Sequence, residues 1–154
     1  MSAREIFTLD LGLQAPWKIV GQHLDMDLEP QVMVLSLGAD RGAEYPCPKC
    51  GRACKAKDFK TIEWRHLNFL EYHCKITARV PRVGCPEHGV KRIIVPWARP
   101  NSGFTLLFEQ LVISLCREMP VSTAARHLGV TDHRLWRVLA HYGVVLIAKT
   151  RRNS

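Results

Sequence analysis

The chain has 154 residues, 47% of them hydrophobic, and a formal net charge of +8. That length holds one ordinary domain or two small ones, with enough apolar side chain to build cores, so a disordered chain is excluded. The first ten residues, Met1-Ser-Ala-Arg-Glu-Ile-Phe-Thr-Leu-Asp10, carry charges where a secretory signal has its apolar run, and no stretch approaches the roughly 18 apolar residues of a membrane span.

Six cysteines without an export signal read as metal ligands or reduced thiols rather than a disulfide framework, and the expected compartment is cytoplasmic. The charge is unevenly placed: residues 1–43 carry −3, residues 44–100 carry +7 and residues 101–154 carry +4. A positive field over the last two thirds of the chain suits a polyanion, because neutralising phosphates releases counterions.

In chain order, Ala3 to Leu9 reads as a short helix ending near Gly12. Two apolar, β-rich runs, Trp17–Met26 and Val32–Leu37, flank the charged connector Asp27-Leu-Glu-Pro30 and predict a β-hairpin. This acidic segment is expected to pack as a structural support against the module after it, with Asp10, Asp25 and Asp27 as surface carboxylates. Residues 37–44 are turn-rich. Ile62, Trp64 and His66 then share one face of a strand, and Tyr72, Cys74, Ile76, Ala78 and Val80 one face of a second, joined near Asn68 to Glu71. Residues 90–97 suggest a third strand, and Pro100 and Gly103 mark a boundary.

Beyond that boundary the period becomes helical. Phe104, Leu107, Phe108, Leu111 and Leu115 form a stripe that Val112, Ile113 and Cys116 broaden, on a helix stopped by Pro120. A pair of short helices comes next. Ser122 is the expected cap of the first, which turns Ala125 and Leu128 inward; Gly129 permits a tight turn; Thr131 caps the second, which buries Leu135, Val138 and Leu139. That spacing is a helix-turn-helix. His133, Arg134, Arg137 and His141 then face outward, where the second helix would enter a major groove, and Trp136 is assigned to the core in preference to a DNA contact.

Two half sites carry the chemistry: Cys47-Pro-Lys-Cys50-Gly51 and Cys85-Pro-Glu-His88-Gly89, 34 residues apart. Such knuckles each offer two ligands to one ion, and a hairpin over the spacer would bring them together as a zinc ribbon. Four protein ligands leave no position for water, so the expected cofactor is one structural Zn2+ held by Cys47, Cys50, Cys85 and His88. Cys54, His66, His73 and Cys74 are rivals for a place in that set, but each lacks a partner at knuckle spacing. Cys74 and Cys116 read as core thiols and the two histidines as hydrogen-bonded side chains. A zinc deaminase would need a His-x-Glu upstream of Pro46-Cys47-Pro-Lys-Cys50. The one upstream histidine, His23, is followed by Leu24-Asp25, so catalysis is not expected.

Leu13-Gln-Ala-Pro-Trp17, the first knuckle, Trp64-Arg-His-Leu67, Arg82-Val-Gly-Cys85-Pro-Glu-His88-Gly89 and the helix-turn-helix occur in one order over nearly the whole chain. Together they resemble the N-terminal region of bacterial insertion-sequence transposases of the ISL-three family. The resemblance implies a zinc-ribbon and helix-turn-helix region that recognises the terminal inverted repeats of the element, ahead of a catalytic domain of the Asp-Asp-Glu type. By position Cys47, Cys50, Cys85 and His88 match the ligand knuckles, with His88 in place of the more usual cysteine. No carboxylate triad is assignable, so the chain is not expected to cut or join DNA by that mechanism.

The expected fold is therefore α+β: an N-terminal β-hairpin (1–43) packed with a zinc-ribbon module (44–100), followed by a helical helix-turn-helix module (101–154). The expected partner is double-stranded DNA at the inverted repeats, in the cytoplasm at the nucleoid. Lys55, Lys57, Arg79, Arg82, Lys91 and Arg92 position the ribbon on phosphates. The competing reading is a zinc-stabilised adaptor that self-associates or docks on a full-length transposase, supported by the apolar run Val144–Ala148 ahead of the basic tail Lys149–Ser154.

Overall fold

The computed structural model describes residues 3–69 and 71–144. The class is α+β, and the chain divides into two compact units, Met1–Leu106 and Leu107–Ser154. Most of the apolar run after Val144, the basic tail, and residue 70 in the expected turn lie outside the described residues.

The first unit opens with α1 (Ala3–Leu11), which stops at Gly12 in the left-handed conformation, φ 67°. The expected hairpin is formed by β1 (Lys18–Asp25) and β2 (Val32–Gly38), antiparallel from Lys18 opposite Gly38 to Asp25 opposite Val32. A short strand, β3 (Glu44–Pro46), pairs with the start of β4 (Ala53–Phe69). β4 and β5 (Tyr72–Cys85) form a long antiparallel hairpin, with Trp64 opposite Ile76 and His66 opposite Cys74. These residues lie inward because alternate side chains of a strand share a face.

The strand order is β1-β2-β5-β4-β3. β2 runs parallel to β5, with Leu35 opposite Ile76, so the acidic N-terminal segment is hydrogen-bonded into the same sheet as the ribbon strands. The expected third strand over 90–97 is shorter: β6 (Gly89–Arg92) pairs with Arg82–Cys85 of β5 and ends there. Ile93 N–H still donates to Pro81 O at 3.2 Å, but proline has no N–H to return, and the ladder stops. Ile93, Val95 and Trp97 continue as buried anchors in irregular backbone.

Trp97, 2% exposed, is the hub of that core. Its ring meets Trp17 edge-on at 4.9 Å and Trp64 edge-on at 5.4 Å, and Trp17 in turn contacts Tyr45 at 5.6 Å. Edge-to-face packing of this kind adds to the apolar burial of each ring.

His66, fully buried on β4, ties three elements together. Its Nε2 is 2.6 Å from Asp10 Oδ2 on α1 and its Nδ1 is 2.7 Å from Thr105 Oγ1. Burial lowers the His66 pKa below the ordinary 6.5, against the opposing pull of Asp10. In the neutral ring Nε2–H donates to the Asp10 carboxylate, which can only accept, and Nδ1 accepts the Thr105 hydroxyl. Asp10 is thus an internal acceptor as well as an accessible carboxylate, which its sequence context did not reveal.

The second unit holds α2 (Leu106–Glu118), α3 (Val121–Leu128) and α4 (Asp132–Tyr142). On α2 the fully buried side is Phe108, Val112, Ile113 and Cys116, so the expected stripe is rotated toward its broadening residues; Leu107, Leu111 and Leu115 are half-buried. Glu109 is also fully buried and accepts the Tyr142 hydroxyl at 2.8 Å, linking α2 to the end of α4.

Since the folded pKa of His66 is lowered, its contribution to stability is complete above about pH 6.5 and is lost as pH falls through the folded value. Denaturant titrations at pH 7.5 and pH 5.5 should therefore show wild type losing more stability on acidification than His66→Gln, which cannot gain that proton.

Candidate metal centre and nucleic-acid interface

The open end of the β4–β5 hairpin brings the two knuckles together. β4 begins two residues after Gly51, and β5 ends at Cys85, so the 34-residue spacer folds back on itself and its length does not separate the half sites. Cys47 N–H donates to Arg52 O and Gly51 N–H to Cys47 O, both at 2.8 Å, closing the first knuckle. Gly51 and Gly89 occupy the same place in the two motifs and share positive φ, 78° and 75°. These are the turns that let each pair of ligands face one point.

The ligand atoms of Cys47, Cys50, Cys85 and His88 all lie within 4.8 Å of one another. Cys50 Sγ to Cys85 Sγ is 3.7 Å, Cys47 Sγ to His88 Nδ1 is 3.9 Å, and Cys85 Sγ to His88 Nδ1 is 3.5 Å. A tetrahedron with zinc–sulfur bonds of about 2.3 Å has edges of about 3.8 Å, close to these three separations. The donor chemistry fits as well. Lys49 N–H points at Cys47 Sγ at 3.4 Å, and the Cys85 thiol is brought down to about 6, chiefly by the backbone N–H of Glu87 and then by His88. A thiol so lowered supplies the thiolate that a metal requires.

The rivals fall outside this group. Cys54 is buried beside it, but its Sγ donates to Arg52 O at 3.3 Å, and burial, followed by the neighbouring Cys85 and Cys47, raises its pKa. Burial pushes the Cys74 thiol up to about 12, as befits a core side chain, and His66 has its ring nitrogens engaged by Asp10 and Thr105.

The six ribbon cations differ in their surroundings. Arg82 forms a two-pronged ion pair with Asp58, and Arg92 donates to Val80 O at 2.8 Å. Lys57 lays its stem over Gly84, where an added Cβ would stand 2.6 Å from Lys57 Cε. Arg79 stacks on Phe59, while Lys55 and Lys91 are exposed.

In the second unit, Gly129 ends α3 in the left-handed conformation, φ 70°, and turns the chain into α4 after Val130 and Thr131. Pro120 takes the N-cap position of α3, displacing the expected Ser122, which lies inside the helix. Thr131 is at the N-cap of α4, but its side chain makes no capping bond. Ala125 and Leu128 are buried on α3, and Leu135, Val138 and Leu139 on α4. The outer face of α4 carries His133, Arg137 and His141 exposed and Arg134 half-buried. Trp136 corrects the sequence reading: it is 50% exposed, because at one residue past Leu135 it lies about a hundred degrees round the helix from that buried side chain.

Residues 44–88 match the family model for the zinc-finger of transposase IS204/IS1001/IS1096/IS1165, and residues 93–143 that for the helix-turn-helix domain of transposase family ISL3. The chain carries the zinc-ribbon and helix-turn-helix region of the ISL3 transposase family. It is similar to the transposase for insertion sequence element IS1557 of Mycobacterium tuberculosis, in strains CDC 1551 / Oshkosh and ATCC 25618 / H37Rv. Each is 32% identical over 101 residues, covering 58% of this chain and 22% of the relative. The chain thus spans about a fifth of the length of these relatives. No solved structure matches it significantly. The ribbon match, over residues whose ligand atoms converge in space, identifies one structural zinc as the cofactor of this ISL3-family region. Among the described residues, no helix is long and apolar enough to cross a membrane.

Elemental analysis should find one zinc per chain. Cys47→Ser, or treatment with a strong chelator, should lower the melting temperature and abolish the fixed structure around residues 44–92, because binding energy at a structural site is folding energy. An unchanged melting curve in metal-free protein would refute the site.

Proposed function

We propose that this ISL3-family region recognises double-stranded DNA at the terminal inverted repeats of an insertion sequence. The observation that carries the reading is the outer face of α4. It comes after a tight turn at Gly129, its buried side is apolar, and it presents His133, Arg137 and His141, with Arg134 beside them, within about one third of the helix circumference. Arginine there suits bidentate contact with guanine, and histidine suits a base edge or a phosphate.

In this reading Cys47, Cys50, Cys85 and His88 hold the zinc, which fixes the ribbon and adds no chemistry of its own because its ligand set is closed. Residues 44–100 contribute phosphate contacts through the exposed Lys55 and Lys91, with Lys57, Arg79, Arg82 and Arg92 adding positive field. Residues 1–43 brace the ribbon, and residues 101–154 read the bases. The relatives are named transposases, and cutting and joining of DNA is assigned to the parts of such a protein that this chain does not match. The setting is the cytoplasm, at the nucleoid, with self-association or a full-length transposase as the accompanying protein partner.

A mobility-shift comparison of element ends with random duplex at physiological salt tests this. The ends should bind more tightly, and Arg137→Ala should cost about 1–3 kcal/mol and relax preference at one position. Equal affinity for both duplexes would overturn sequence recognition.

A further inference from the structure

The opposite face of the ribbon sheet carries a recess of which the duplex reading uses only Lys55 and Arg79, for their charge. Trp64, Ile76 and Leu35 point into the core, so by alternation Thr61, Thr77 and Arg79 point to the other side. There, under the loop of residues 38–43, lies a cavity of about 760 Å³, within the size range of small-ligand sites. Val20 and Phe59, exposed at 52% and 42%, are apolar side chains of its lining.

The charge around the cavity is one-sided. Arg41, Lys55 and Arg79 line it and make no ion pair among the described residues. The one carboxylate in the lining, Asp40, is already bound to Lys18 Nζ at 2.5 Å. The Arg79 guanidinium lies 4.5 Å from the centre of the Phe59 ring. An exposed aromatic ring and a guanidinium plane, with further cations in the same recess, is the combination that holds an unpaired base by stacking and its phosphates by charge. A duplex cannot place a base in it, because its bases are stacked inside the helix and only its outer phosphate surface would meet the cations at the rim.

We propose that this recess binds single-stranded DNA, stacking an unpaired base on Phe59 and Arg79 while Arg41 and Lys55 hold the flanking phosphates. The proposal shares with the function above only the premise that nucleic acid is the partner; it does not require inverted-repeat recognition.

Fluorescence anisotropy on the zinc-loaded chain tests it, with labelled oligothymidine of roughly 15 nucleotides, an oligouridine of equal length and a duplex of element ends. Wild type should bind oligothymidine, more tightly as salt is lowered. Phe59→Ala should weaken that binding by about 5- to 150-fold, whereas Phe59→Trp should retain it, and neither should change duplex binding. Arg137→Ala should do the reverse, weakening duplex and sparing oligothymidine. Should Phe59→Ala lose its zinc, Phe59→Leu takes its place, keeping the apolar bulk without the aromatic plane, with a loss again expected for oligothymidine alone.

Failure of zinc-loaded wild type to bind oligothymidine would overturn the proposal, as would unchanged binding by the zinc-loaded variants. Parallel loss of duplex binding would place Phe59 in a duplex interface, and tighter binding of oligouridine would reassign the recess to RNA; either result also rejects it. A duplex that shows no preference for element ends would defeat the reading of α4 and leave this one standing.

Discussion

Four ligand atoms converging at the open end of one hairpin are the constraint on which the first unit depends. Two knuckles set 34 residues apart would, in an unfolded chain, carry a substantial loop-closure cost before a metal could bridge them. The pairing of β4 with β5 brings the ends of that loop together as the sheet forms, and zinc bridges them where the sheet hydrogen bonds run out. Metal and sheet are thus two parts of one closure: the hairpin supplies proximity, and the metal ties the two knuckles at its open end.

The rest of the unit is built on the flank of that hairpin. β5 accepts β4 on one edge and both β2 and β6 along the other, which leaves the acidic N-terminal segment inside the sheet rather than beside it. The Trp17, Trp64 and Trp97 cluster then joins the segment before β1, the middle of β4 and the irregular stretch after β6 in one apolar contact. His66 does the same work with polar atoms, and it is tolerated at full burial because Asp10 and Thr105 satisfy both ring nitrogens.

With the knuckles accounted for as scaffold, the two surfaces proposed for base recognition are the face of α4 and the recess beside Phe59. They differ in shape and therefore in the form of nucleic acid each suits. A helix with Arg137 near the middle of its exposed face suits a groove, whereas a concave recess lined by an aromatic ring and cations suits a strand whose bases are free. A region with both would contact paired and unpaired DNA at separate places.

Much of this was legible in the sequence because the signals were local. The two knuckles, the alternation through Trp64 and Ile76, and the Ala125, Gly129 and Leu135 spacing each reflect backbone geometry over a few residues, and family resemblance rested on their order. What the sequence did not reveal depended on partners distant in the chain. The parallel pairing of β2 with β5, the cavity roofed by residues 38–43, and the Asp10–His66–Thr105 bridge leave no periodic trace, since strand partners and side-chain contacts are chosen in three dimensions. The same reason explains Trp136: its hydrophobicity argued for the core, but the rotation of α4 set by Leu135, Val138 and Leu139 turned it outward. The sequence by itself determined the elements and the ligand set to be expected; only the tertiary structure decided which strands are neighbours and which side chains face the solvent, because those depend on contacts between residues far apart in the chain.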